Sequence, residues 1–166
     1  MKTANRRCAG VALLALCAMA AATTASGQED TGFDLNIVLS QKAAATLADR
    51  REAMVIMVNY YGWPKRSAQK YADEIGQIGF GPDKEIAIPG VAGQYHVPSV
   101  RLDPQLIGWL DGTVQLNVNI ASARKSDPDN ILDCDSIDGP LADAVKAAPT
   151  LSCKLIHNDP GTSAKP

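Results

Sequence analysis

The chain has 166 residues, with 16 basic and 18 acidic side chains, a formal net charge of −2 and a composition that is 46% hydrophobic. A nucleic-acid binder carries a basic stripe and this chain has none, so nucleic acid is not the expected partner. The length suits a single domain once an N-terminal segment is set aside.

That segment is residues 1–27. Lys2, Arg6 and Arg7 precede an uncharged run from Cys8 to Ala22, small residues continue to Gly27, and the first acids are Glu29 and Asp30. A charged start, an apolar stretch too short to span a membrane comfortably and a small-residue end predict a signal peptide cleaved near Ala25 or Gly27. The 139 residues that follow keep 13 bases and all 18 acids, a formal charge of −5. They hold no second stretch able to span a membrane, and they are enough to bury about two-thirds of the unfolded surface. The expected location is periplasmic or secreted. In such an oxidising compartment the two remaining cysteines, Cys134 and Cys153, are expected to form a disulfide, contributing about 3 kcal/mol.

Phe33, Leu35, Ile37 and Leu39 alternate with other residues and predict the first strand. Ser40 is placed to cap a short alanine-rich helix over 41–48. Ala53 to Tyr61 is apolar on both alternating faces, as in a central strand, and Gly62 and Pro64 end it. Residues 65–73 are polar and predict an irregular loop. Glu74–Phe80 and Glu85–Ile88 are separated by Gly81-Pro82-Asp83-Lys84, which predicts a hairpin. Gln94–Val97 is a further short strand. Asp103 before Pro104 predicts an N-cap and a short helix to Leu110, with a turn at Asp111-Gly112.

The clearest strand follows. Between Thr113 and Ser122, Val114, Leu116, Val118 and Ile120 alternate with Gln115, Asn117 and Asn119, a period of two that no helix would hold. Lys125 to Asn130, with Ser-Asp-Pro-Asp-Asn in a row, predicts a loop. A strand with Cys134, a short helix over 140–147 and a last strand with Cys153 complete the order, and residues 157–166 predict a flexible C-terminal tail. About eight short strands with turns every eight to twelve residues or so, and short helices in the connections, predict a mainly β domain over 28–156. Its expected form is an antiparallel β-sandwich or small barrel.

Chemistry is harder to find. Only His96 and His157 are available to a hydrolytic triad, and neither a nucleophile elbow nor a zinc-protease motif occurs. His96 reads as a surface or strand-edge histidine. Asp127, Asp129, Asp133, Asp135 and Asp138 form an acidic run that could supply oxygens to calcium, with Asp127, Asp129 and Asp133 the candidate ligands, although the EF-hand spacing is not met. The ordinary alternative is a solvated turn. Asp73 and Glu74 are adjacent, so a strand would point them to opposite faces, away from any shared glycosidic bond.

Two surfaces suggest binding. Gln115, Asn117 and Asn119 form an uncharged amide row where β-propensity would favour threonine, either an ordinary wet sheet face, open or covered by a loop, or a hydrogen-bonding platform for a sugar or a protein partner. Tyr61 and Trp63 lie in Tyr60-Tyr61-Gly62-Trp63-Pro64, where aromatics at a strand end either anchor a partner or plug the sandwich. Ala92-Gly93-Gln94-Tyr95 resembles, with its serine replaced, the Ser-Gly-x-Tyr loop of a group of small periplasmic lysozyme inhibitors. Nothing else in the chain matches that group, and no residue role is carried over from it. The expected function is therefore an exported non-catalytic binding module with an envelope protein partner, for example a hydrolase to be inhibited. The alternatives are a small carboxylate-dependent hydrolase of carbohydrate or ester, and a calcium-stabilised structural module.

Overall fold

Alternation makes the strands. In the computed structural model, which describes residues 31–157, β1 (Phe33–Leu39) buries Phe33, Leu35, Ile37 and Leu39 and turns the residues between them outward. The expected signal peptide over 1–27, with its expected cleavage region, and all of the expected tail but His157 lie outside the described residues. The Ser40 hydroxyl accepts from the Ala43 amide at 3.0 Å, which satisfies one of the free donors at the start of α1 (Gln41–Asp49). Ala43 and Leu47 bury that helix against the core. β2 (Ala53–Gly62) buries Met54, Ile56, Val58 and Tyr60, while Val55, Met57 and Asn59 are half-buried on its other side. A 3-10 helix (Arg66–Tyr71) occupies part of the region expected to be irregular.

The remaining elements are β3 (Ile78–Gly79), β4 (Lys84–Pro89), β5 (Gly93–Val97), α2 (Pro104–Trp109), β6 (Gln115–Ser122), β7 (Leu132–Cys134), β8 (Ile137–Pro140), α3 (Leu141–Lys146) and β9 (Thr150–Leu155). Asp103 caps α2 as its sequence requires, its carboxylate accepting from Gln105 at 2.8 Å with Pro104 in the first turn.

One sheet has the order β5-β1-β9-β7; in the other, β2 pairs with β6, β6 with β8, and β3 and β4 both lie along the free side of β2. The pairings are antiparallel apart from β1 with β9. Neither sheet closes on itself, and the inward rows of both meet in one continuous core that includes Leu35, Ile37, Ile56, Leu116 and Val118. The fold is thus mainly β and sandwich-like, with short helices in the connections. Cys134 and Cys153 stand directly opposite on β7 and β9 and are joined as a disulfide.

One local expectation is corrected. The hairpin over Glu74–Phe80 and Glu85–Ile88 does not form. Instead β3 pairs with Tyr61 and Gly62, and β4 with Ala53 to Val58, so the two follow one another along β2. An isolated two-stranded hairpin is marginal in water, and pairing with the ten-residue β2 lets Ile78 and Ile88 reach the interior. Gly81, at φ 106°, makes the step between them. β8, which the sequence did not announce, gives β6 its second neighbour, and with it the described residues form nine strands, in line with the expected number of about eight.

Candidate functional site

In a sheet, residues directly opposite one another share a face. The register pairs Gln115 with Tyr61, Asn117 with Asn59, and Asn119 with Met57, and on the other side of β6 it pairs Asn117 with Asp138 and Gln115 with Pro140. These side chains therefore stand together on the outer face of the second sheet, pointing away from the core.

The polar groups there are already organised. Asn119 Nδ2 donates to Asn117 Oδ1 at 2.6 Å, and Gln115 Nε2 to the Thr113 carbonyl at 3.0 Å. Asn59 Nδ2 donates to Asp83 Oδ1 at 2.6 Å. The Tyr61 hydroxyl donates to the Asp138 carboxylate. Burial, and then the bond to and charge of Asp138, push the Tyr61 phenol up to about 12, so at neutral pH it is a donor. The result is a band running from Asp138 on β8 through Asn117 and Asn59 to Asp83 at the start of β4.

Trp63, two residues past Tyr61, packs on it edge to face with ring centroids 6.0 Å apart. The two aromatics differ in exposure. Tyr61 is 7% exposed and part of the structure, whereas Trp63 is 50% exposed at the end of the amide band. The Trp109 backbone lies close by, its carbonyl accepting from Lys65 at 2.8 Å, but its ring stacks on Tyr71 at 4.1 Å. It joins a small second cluster around Ala68, Ile78 and Leu110.

The candidate calcium ligands go to separate partners. Asp127 pairs with Arg50 at 3.0 Å and also accepts from the Asp129 amide at 3.1 Å, while Asp133 faces Lys154 at 3.3 Å across β7 and β9. Among the described residues no three His, Cys, Asp or Glu side chains gather into a group able to hold a metal ion. Asp73 accepts the Ile75 and Gln77 amides at 3.0 and 2.8 Å and so closes a turn. His96 is exposed on the edge strand β5, where its Nδ1 meets Asp34 at 2.9 Å.

Asn59, Asp83 and Asp138 belong to the band but were not singled out as binding residues from the sequence. The signal for Asn59 is visible in hindsight: it is the polar interruption of an apolar strand, on the same phase as Tyr61. Asp83 and Asp138 read as turn acids until the register is known. An open groove of about 360 Å³ lies elsewhere, between Thr46 of α1 and Arg50 just past its end, the loop carrying Asp127 and Asp129, and Leu155 at the end of β9.

No family model matches the chain, and neither does any curated protein or solved structure.

Proposed function

We propose that the chain is an exported, non-catalytic binding module of the cell envelope that docks a protein partner on the outer face of its second sheet. The observation that carries this reading is Trp63, half exposed and held edge-on by Tyr61 beside the band of Gln115, Asn117 and Asn119. A large aromatic kept in water beside ordered donors and acceptors is the arrangement that anchors protein interfaces. The Cys134–Cys153 bond fits an oxidising compartment, and no described helix is long and apolar enough to cross a membrane. Inhibition of an envelope hydrolase is one such role. The hydrolase alternative has less support, since Asp73 is engaged in its own turn. The calcium alternative has less too, since Asp127 and Asp133 are ion-paired.

The test is capture. Immobilised mature domain with its disulfide intact is expected to retain a stoichiometric protein from envelope extract, and Gln115/Asn117/Asn119→Lys is expected to lose it. Turnover of an envelope polymer by the pure domain would overturn the reading.

A further inference from the structure

We propose that the partner meets this face through a basic segment, an arginine-bearing strand or loop; the inference rests on the binding reading above and specifies its chemistry. Among the described residues the register places no lysine or arginine on the outer face of the second sheet. Carboxylates flank it on both sides, Asp138 on β8 and Asp83 and Glu85 at β4, with the neutral amides between them. Adjacent strands lie about 4.8 Å apart, so the flanking acids are separated by roughly 14 Å.

The opposite face of the molecule is balanced differently. There Asp34 meets His96 and Asp133 meets Lys154. Among the described residues none of Asp83, Glu85 and Asp138 is in an ion pair. Asp83 and Asp138 each accept one hydrogen bond from a neutral side chain of this face, and an ionised carboxylate can accept several more. The planar fork of arginine fits a carboxylate in two places and also stacks on indole, and Trp63 supplies an indole within the same surface. Uncompensated acids, open amides and an exposed indole together complement a cationic protein segment better than a neutral or acidic one.

The test uses defined peptides on the mature, disulfide-bonded domain, read by two-dimensional NMR of its backbone amides, its Asn and Gln side-chain amides and the Trp63 indole. The probes are a capped Gly-Arg-Gly-Arg-Gly peptide, its citrulline counterpart, its glutamate counterpart and a neutral chito-oligosaccharide. The expected result is saturable shifts at Trp63, Asn117 and Asn119 with the arginine peptide. Binding should be about fivefold to tenfold weaker for citrulline and should weaken as salt rises. The variant Asp83→Asn/Glu85→Gln/Asp138→Asn should lose that preference, while Asp133→Asn on the other sheet keeps it. Because Asp138→Asn also disturbs Tyr61, Asp83→Asn/Glu85→Gln alone should reproduce part of the loss.

Equal binding of citrulline, binding of the oligosaccharide in place of the peptide, shifts confined to another surface or no saturable shift at all would overturn the inference. The broader reading is tested separately. A captured protein that is lost on Trp63→Ala but binds the neutralised variant unchanged sinks the basic segment and keeps the face, whereas one unaffected by either variant sinks the face itself.

Discussion

The Tyr61 hydroxyl bonds to the Asp138 carboxylate over the top of β6, so the central strand β2 and the short edge strand β8 are tied together on the candidate face. β8 has only four residues, and this side-chain bond supplements its backbone pairing with β6.

Removing that bond should loosen β8. Tyr61→Phe is expected to lower stability by about 1 to 2 kcal/mol in urea unfolding. The phenol has a folded value of about 12 against an ordinary value of 10. Its contribution is therefore complete below pH 10 and is lost as pH rises through 12. Absorbance titration of the folded domain should show Tyr61 ionising near 12, as its loss from the titration of Tyr61→Phe identifies, and Asp138→Asn should bring it part of the way down, since burial still opposes ionisation.

Glu52 should make the fold sensitive to acid. Its side chain is buried and accepts from the Ala53, Lys125 and Ser126 amides at 3.0, 3.1 and 2.5 Å and from the Ser126 hydroxyl at 2.5 Å. Burial alone would raise its pKa; those four donors outweigh burial and hold it down at about 2, against 4.5 for an ordinary glutamate. Stability from this group is thus fully present above pH 4.5 and lost as pH falls towards 2. Glu52→Ala, which strands the same donors, is expected to cost about 3 kcal/mol at neutral pH. Urea midpoints measured from pH 7 to pH 2 should fall in the wild type and vary less in the variant.

The disulfide closes the segment that carries β8 and α3. Reduction, or Cys134→Ala/Cys153→Ala, is expected to lower stability by about 2 to 4 kcal/mol. Thermal unfolding with and without reductant checks this, and the double variant should show no response to reductant.

Two glycines should differ in tolerance. A Cβ on Gly90 would stand 2.1 Å from the Glu52 carbonyl oxygen, a backbone atom that cannot swing aside. A Cβ on Gly62 would meet the Leu110 side chain at 2.5 Å, which can change rotamer at some loss of packing. Gly90→Ala is therefore expected to cost more than Gly62→Ala, about 3 kcal/mol against about 1 to 2, measured as the shift in urea midpoint.

Strands with a buried face were legible because burial writes itself into alternation. β1, β2 and β6 follow from Phe33 to Leu39, Ala53 to Tyr61 and Val114 to Ile120, and the caps at Ser40 and Asp103 follow from local chemistry alone. β8 was not legible, since Ile137-Asp138-Gly139-Pro140 has one apolar residue and three turn formers, and only β6 beside it makes it a strand. The hairpin failed for a related reason: turn residues report a change of direction but not which strand the chain will pair with next. The site divides in the same way. Gln115, Asn117, Asn119, Tyr61 and Trp63 could be named from pattern, whereas Asn59, Asp83 and Asp138 join them only through register, a long-range property.

Site-specific photocrosslinking would test the binding reading most directly. A benzophenone amino acid placed at Asn119, exposed on the candidate face, is expected to trap a protein adduct of one fixed mass in the producing cells. The same group at Gln94, exposed on the outer face of the other sheet, should trap none. An adduct at Gln94 with none at Asn119 would contradict the assignment of the face.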